Sequence, residues 1–361
     1  MWIERTCYYA KPGRADAVLE TRRAASAVRA AIGLPVGAIF VREDGHGPEV
    51  RWECGFESSE AHAADLAARA ASAEFEAVRA HMRSLLDRFE RHLERRDEVS
   101  PLPNGMVDRA LLGHAMLPRE IAFRSGNHLL KGYLFLPPGA GPFPCMVLNH
   151  GSGIDRGTLD VSRPGTASLL ASWGVASFLP HRHGYGNSEG PGWREEVSSA
   201  FGTEEYDAQL AARLDRESND VLAAGELVAG LPEVRTDHIG VMGSSFGGVN
   251  TLLASAKSNF FQCAVEFAGA AMNWDRTPGL RALMTEAALR LTIPIFLIQA
   301  ENDYSIRPTQ ELAQALEGSG VVYQTKIFPP FGITAHEGHL FERDGGRIWA
   351  PEVRRFLERH L

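Results

Sequence analysis

The sequence predicts an α/β protein in two unequal parts, a mostly parallel sheet with helices on both faces preceded by a small α+β unit. Three observations carry this expectation. The chain has 361 residues, enough for two domains at roughly 150 residues each. From residue 145 onward, short apolar runs bounded by Gly or Pro alternate with stretches of helical spacing, the pattern of strands buried on both faces. Composition also changes near residue 100. Residues 1–100 hold 15 basic and 17 acidic residues in long Ala/Arg/Glu runs, whereas residues 101–361 hold 22 and 28 and nearly all the apolar runs. The boundary is expected within Asp97-Glu98-Val99-Ser100-Pro101-Leu102-Pro103-Asn104-Gly105, where two prolines cannot continue a helix and Asn-Gly turns the chain. The two units are therefore read as 1–100 and 101–361.

In the first unit, Trp2–Tyr9 reads as a strand and Pro12-Gly13 as a break. Arg14–Ala31 has helical spacing, and Gly37–Val41 with Glu49–Phe56 reads as a hairpin across Asp44-Gly45-His46-Gly47. Ser58 or Ser59 caps one helix and Ser72 another. Phe75, Val78, Met82, Leu85, Phe89 and His92/Leu93 recur at steps of three and four, which predicts one helical stripe serving as core or subunit contact. This β-α-β-β-α order resembles the ferredoxin-like units of the dimeric α/β barrel families, the NIPSNAP-like group especially. The resemblance implies pairing of two units sheet to sheet, hence a homodimer, and transfers no residues. Covering an active site is the other role open to this unit.

In the second unit, Glu120–Arg124 and Leu130–Leu136 flank a Ser-Gly-Asn turn as an opening antiparallel pair. Strands then follow at Cys145–Asn149, Val175–Pro180, His238–Met242, Cys263–Phe267, Ile293–Ile298 and Val322–Phe328. Residues 191–216 and 271–290, with Trp193, Phe201, Tyr206 and Trp274, interrupt this rhythm and are expected either to pack or to line a pocket.

Composition excludes several classes. The net charge is −8, and although 33 of the 37 basic residues are Arg, they are scattered near acids, so no nucleic-acid surface is expected. Cys7, Cys54, Cys145 and Cys263 lie far apart with no C-x-x-C, which reads as buried thiols in a reducing compartment. The start shows no signal peptide and no run of about 18 apolar residues occurs, so a cytoplasmic protein with no membrane partner is the expectation. No nucleotide fingerprint appears and no cofactor is called for.

The pattern G-x-S-x-G occurs twice, at Gly186-Asn187-Ser188-Glu189-Gly190 and at Gly243-Ser244-Ser245-Phe246-Gly247. The motif needs a buried strand before it and a helix after it, so that a tight turn lifts the hydroxyl above the sheet edge. Ile239–Met242 and Val249–Ala256 supply these around Ser245. Ser188 runs instead into Pro191-Gly192, and Glu189 would oppose a developing oxyanion. Ser245 is thus the candidate nucleophile and Ser188 a loop residue. With this elbow, Glu233-Val-Arg-Thr-Asp-His-Ile-Gly-Val-Met-Gly-Ser-Ser-Phe-Gly-Gly248 resembles the α/β-hydrolase superfamily, in its dienelactone-hydrolase and prolyl-oligopeptidase-like branches, over about residues 105–361. Having Ser rather than Cys as nucleophile departs from dienelactone hydrolases proper and favours ordinary esters over lactones.

A serine hydroxyl needs a base, and the base an orienting acid. The superfamily's order of Ser, acid, His implies Asp303, after strand Ile293–Ile298, with Glu301 as competitor. It implies His339, in Gly338-His339-Leu340-Phe341, over His336. His-Glu-Gly-His is one residue short of a zinc motif, so no metal site is expected there, and His181 and His183 are read as part of a basic Gly-rich loop rather than as metal ligands. The oxyanion needs preplaced N–H donors. The amide of Phe246 is one, and the resemblance places the other at Ser152, in His150-Gly151-Ser152-Gly153. The expected activity is a serine esterase acting on a small or medium carboxylic ester. A serine amidase, peptidase or lactonase is the alternative, and a catalytically inert dimeric binding protein a further one. The roughly 100 residues before the hydrolase part are too few for the β-propeller that peptidases of this branch carry.

Overall fold

The computed structural model describes residues 2–95, 118–154 and 164–361. The expected linker around residues 97–105 lies outside them. Contacts divide the chain into two compact units, Met1–Glu98 and Val99–Leu361. Among the described residues no helix is long and apolar enough to cross a membrane.

The first unit runs β1 (Trp2–Ala10), α1 (Ala15–Ala31), β2 (Ala38–Val41), β3 (Val50–Phe56), α2 (Ser59–Ala71), α3 (Ala73–Leu85) and β4 (Leu86–Arg95). The side chains of Ser58 and Ser72 accept hydrogen bonds from the amides of Ala61 and Phe75 and so start α2 and α3. The four strands form one antiparallel sheet in the order β2-β3-β1-β4. One expectation is corrected here. The apolar stripe that begins at Phe75 does not stay helical to Leu93: the chain turns into a strand at Leu86 and pairs with β1 from Ala10↔Leu86 to Trp2↔Arg95. Spacing alone could not reveal this. Residues 86–95 satisfy a helical step through Phe89 and Leu93, but an otherwise open edge of β1 takes up their backbone groups, and tertiary pairing outweighs the small propensity difference.

Val50, Trp52, Cys54 and Phe56 alternate toward the helices with Val18, Met82 and Leu85. Beside this apolar patch lies a buried ionic chain. Arg29 donates to Asp65 at 2.5 and 3.2 Å, Asp65 meets Arg69 Nε at 2.8 Å, and Arg69 reaches the Glu4 carboxylate at 2.8 and 3.2 Å. His62 Nε2 lies 2.7 Å from Glu4 Oε2. Burial pushes the Glu4 carboxyl up, but Arg69, His62 and Arg91 together outweigh it and hold the group below the usual carboxylate range.

The second unit opens with the antiparallel pair β5 (Arg119–Ser125) and β6 (His128–Phe135). It continues as β7 (Phe143–Asn149), α4 (Pro164–Ser172), β8 (Ala176–His181), α5 (Trp193–Glu196), α6 (Glu204–Ala229), β9 (Val234–Ser244), α7 (Phe246–Lys257), β10 (Ala264–Phe267), α8 (Pro278–Leu289), β11 (Ile295–Ala300), α9 (Arg307–Leu316), β12 (Tyr323–Phe328), α10 (Ala335–His339), α11 (Phe341–Asp344) and α12 (Gly346–His360). The sheet order is β12-β11-β10-β9-β7-β8-β6-β5. Strands β7 to β12 are mutually parallel, and β6 joins β8 antiparallel. Alternate residues feed two cores. Cys145, Val147, Ile239 and Val241 pack with α6, α7 and α8 on one face, and Met146, Leu148, Met242 and Val265 with α4 and α12 on the other. The two segments read as possible pocket walls are largely core. Leu210 and Leu214 on α6, and Leu280 and Met284 on α8, are fully buried, and Trp274 is buried with its Nε1 donating to Glu311.

Chain order reverses between β8 and β9 on either side of β7, which opens a crevice at the carboxyl ends of adjacent strands. Asn149 pairs with Gly243 across β7 and β9. The loop after β7 and the turn after β9 are therefore neighbours by construction.

Glu266, at the middle of β10, is fully buried, and one carboxyl oxygen accepts the Gly269 amide. Burial, with the Asp303 carboxylate adding to it, pushes its pKa up to about 8 from 4.5.

These buried ionisable groups bear on stability in two ways that can be measured. Asp65→Ala leaves Arg29 and Arg69 without their shared carboxylate and should cost about 3–5 kcal/mol, the usual loss when one partner of a buried pair is removed. The urea midpoint of the first unit's transition in the full chain measures it, and a change under about 1 kcal/mol would show that the chain of ion pairs is not needed. Glu266 keeps its proton in the folded state up to about pH 8, while the unfolded group gives it up near pH 4.5. Stability must therefore fall as pH rises through that window. Glu266→Gln should flatten the decline in Tm between pH 5 and pH 9, and equal slopes in the two proteins would contradict a protonated Glu266.

Candidate active site

The turn after β9 is built by contact distance. Ser245 has φ +58° and ψ −128°, a conformation that a non-glycine residue holds only when its surroundings enforce it, at a cost of order 1–3 kcal/mol. Its amide donates to the Phe267 carbonyl at 2.9 Å, and its carbonyl accepts from Val249 at 3.1 Å in the first turn of α7. Gly247 is dictated by space: a Cβ there would lie 2.1 Å from the Asn149 carbonyl oxygen and 2.6 Å from that of His150. The start of α7 thus sits directly against the loop after β7.

His339 ends α10 and is buried. A capping box between Thr334 and Glu337 sets that short helix. Its Nε2 lies 3.0 Å from Ser245 Oγ, and its Nδ1 lies 2.9 Å from Asp303 Oδ1. Asp303, in the turn after β11, also accepts from the Tyr304 amide at 2.7 Å and from Gln299 Nε2 at 2.9 Å. A hydroxyl, an imidazole and an ionisable acid therefore stand in one line of hydrogen-bond contact, the order in which an imidazole can take the hydroxyl proton while the acid stabilises the resulting cation.

The competing residues lie elsewhere. Glu301 is exposed, and its backbone amide donates to the Phe328 carbonyl at 2.9 Å. His336 is exposed with its Nδ1 3.4 Å from the Tyr304 hydroxyl. Ser188 is buried in a turn, where its hydroxyl donates to the His181 carbonyl at 2.7 Å and accepts from the Lys131 amide at 2.9 Å. His183 faces Asp220 Oδ2 at 2.6 Å through Nδ1, and His181 lies between the rings of Tyr133 and His150. All four cysteines are free and buried, and burial pushes Cys145 and Cys263 up to about 12, so neither is a thiolate at neutral pH.

Of the two residues read as oxyanion donors, Phe246 is the first residue of α7, where an amide has no partner inside its own helix. Ser152 is exposed in the loop after β7, next to Gly151, and a Cβ on Gly151 would lie 3.3 Å from Ser245 Cβ and 3.7 Å from its Oγ. Both segments flank the hydroxyl. The ring of Trp193 stacks on Phe246 at 5.1 Å, which places the α5 segment near the site, whereas half-exposed Phe201 packs on Tyr206 and Arg276.

Two positioning residues were missed by sequence reasoning. Gln299 donates to Asp303 and to the Ser305 carbonyl and accepts from Thr309 at 2.8 Å, which locks the acid in place. Asn302 ties the Asp303 turn to the His339 segment, donating to the carbonyls of Phe331 and Thr334 at 2.9 Å and accepting the Phe331 amide at 2.8 Å. The polar run Gln299–Asp303 was the available signal, but nothing in it marks which member bonds which.

Comparison with solved structures places this geometry in a known fold. Pyrococcus horikoshii acylaminoacyl peptidase matches with a TM-score of 0.53 and 20% identity over 70% of this chain and 44% of its own. Porphyromonas gingivalis dipeptidyl peptidase 4 matches at 0.50 and 17% over 68% of this chain and 35% of its own. DcsB, solved with its substrate analogue, matches at 0.50 and 13% over 67% of this chain and 99% of its own. The present chain thus spans less than half the length of the two peptidases, and at these identities the likeness speaks for the α/β-hydrolase fold alone. No curated protein matches the sequence. The family model for dienelactone hydrolases aligns with residues 130–346, more than half of the chain and the whole stretch from β6 to the start of α12, so the chain belongs to the dienelactone hydrolase family.

Proposed function

We propose that this protein is a serine esterase that cleaves a small or medium carboxylic ester through an acyl-enzyme. The observation that carries this reading is the unbroken contact from Ser245 Oγ to His339 Nε2 and from His339 Nδ1 to Asp303. Ser245 Oγ bonds to the ester carbonyl carbon as His339 Nε2 takes its proton, and Asp303 holds the imidazolium. The carbonyl oxygen, now negative, is received by the amides of Phe246 and Ser152. Collapse expels the alkoxide, which takes the proton from His339. Water then repeats the sequence, its oxygen bonding to the acyl carbon and its proton passing through His339 back to Ser245. An alkoxide leaves more readily than an amine, so an ester asks least of a site with one imidazole, while amides and lactones are the alternative substrates of the same machinery. Free buried thiols fit a reducing, cytoplasmic setting.

The first unit is proposed to pair with its copy. The sheet face turned away from its helices carries Arg5, Arg51 and Arg88 among Glu53, Glu90 and Glu94, with Arg5 bonded to Glu53 at 2.8 Å and to Glu94 at 3.0 Å, a charge pattern complementary to itself.

Wild-type protein should hydrolyse p-nitrophenyl butyrate and take up a fluorophosphonate probe, whereas Ser245→Ala should lose about 10⁶-fold in kcat and all labelling. Comparable activity in the two proteins would overturn the assignment, and faster turnover of the matching anilide would move it to an amidase. Light scattering should return twice the chain mass of 39.4 kDa, and a monomer at micromolar concentration would contradict the pairing.

A further inference from the structure

Behind the site, on the α6 side of the sheet, lies a buried ionic cluster that the reaction as written does not use. Glu217 of α6, Arg182 after β8 and Arg213 of α6 are all fully buried. Arg213 Nε donates to Glu217 Oε1 at 2.6 Å, and its other nitrogens reach Glu196 and the carbonyls of His183 and Pro191. Glu217 Oε2 accepts two further donors, Arg182 Nε at 2.6 Å and Asn250 Nδ2 at 3.1 Å. Buried ion pairs are costly to desolvate and are weak evidence for stability by themselves, so their other contacts matter.

Those contacts lead to the two segments that flank Ser245. Arg182 Nη1 donates to the His150 carbonyl at 2.7 Å, while the Gly151 carbonyl accepts from His150 Nδ1 at 2.6 Å and from Arg182 Nη2 at the longer distance of 3.4 Å. The Gly151 carbonyl and the Ser152 amide belong to one planar trans peptide, in which C=O and N–H point in opposite directions. Holding the oxygen toward His150 Nδ1, in a loop that Arg182 grips through the His150 carbonyl, turns the Ser152 N–H the other way, and Gly151 already lies against Ser245. The second arm is Asn250 on α7, whose Nδ2 also donates to the Phe246 carbonyl at 2.9 Å and so pins the first turn that presents the Phe246 amide.

We infer that Glu217 is a common anchor for both halves of the oxyanion site, with Arg182 and Asn250 as positioning residues that set the rate of acyl transfer rather than the affinity for substrate. This rests on the serine-hydrolase reading above. One carboxylate oxygen fixes the guanidinium that follows β8 and grips the loop after β7, and a carboxamide on the helix after β9. The distance between the two amide donors is thereby set by side chains that never touch the substrate. The guanidinium charge behind the Gly151–Ser152 peptide also polarises it and strengthens its N–H as a donor.

The test uses the full chain with Arg182→Lys, Asn250→Ser and the double variant, assayed with p-nitrophenyl butyrate and inhibited by a trifluoromethyl ketone, which adds to the serine as a tetrahedral oxyanion. Removing one oxyanion donor typically costs about 10²–10³ in kcat, and a displaced donor should approach the lower end. Each single variant should lose about 30- to 100-fold in kcat with KM within threefold, and ketone affinity should fall in step with kcat/KM. The double variant should lose clearly less than the product of the single losses, since both act through Glu217. Variants that melt at lower temperature yet keep kcat, a loss confined to KM, unchanged ketone affinity, or fully multiplicative losses would each overturn the inference. Should Arg182→Lys not fold, Asn250→Ser, which leaves both ion pairs intact, must show the kcat-selective loss by itself or the inference fails. Ser245→Ala run in parallel separates the two readings: wild-type turnover independent of Ser245 removes the serine-hydrolase assignment, whereas Ser245-dependent turnover unchanged in the other variants removes only the anchor.

Discussion

The meeting of the β7 and β9 strand ends governs the rest of the second unit. Asn149 and Gly243 are paired across the sheet, and the start of α7 presses into the Asn149 and His150 carbonyls with no room for a side chain at Gly247. This contact leaves Ser245 no relaxed backbone conformation, so the serine is held at positive φ with its hydroxyl above the sheet edge. Strain of that kind persists only if many neighbours enforce it. Two of them are the strand on one side, through the Ser245 amide and the Phe267 carbonyl, and the helix on the other, through Val249.

The remaining site residues arrive from strands farther along the same edge, and their loops are tied to each other rather than to the nucleophile alone. Gln299 fixes Asp303, Asn302 fixes the segment carrying His339, and a capping box fixes the turn of helix on which His339 sits. A 3.0 Å contact between His339 and Ser245 is the sum of these constraints. The ionic cluster around Glu217 performs the same service on the other flank. The protein spends buried polar groups on geometry, at positions where a purely apolar core would be cheaper to desolvate.

Much of this was legible in the residues. Among the described residues, the apolar runs bounded by Gly and Pro located the strands of the second unit to within a few residues, because a strand buried on both faces has few acceptable compositions. The serine motif was decided by its context of strand and helix, and the structure gives Ser188 an ordinary turn role. The first unit was less legible. Residues 86–95 are compatible with helix and strand alike, and the choice fell to an unpaired edge of β1 that no local pattern announces. Residues 191–216 and 271–290 broke the rhythm and were open to either packing or pocket lining; the helices within them turn their apolar faces to the core under the sheet.

What the sequence by itself determined is the kind of chemistry and the order of its parts: a serine in a glycine elbow, an acid and a histidine following in the chain, and a Gly-rich loop before them. These are set by local composition, since only small residues fit the elbow and only certain side chains ionise or transfer protons. What only the tertiary structure decided is which groups meet. The structure sets the distances at which the acid and base already read from the sequence, Asp303 and His339, meet each other and Ser245, and it alone shows Gln299 and Asn302 holding them and Arg182, Glu217 and Asn250 converging behind two distant loops. Such meetings depend on strand order and on distances of a few ångströms between residues tens of positions apart, and no window along the chain contains them.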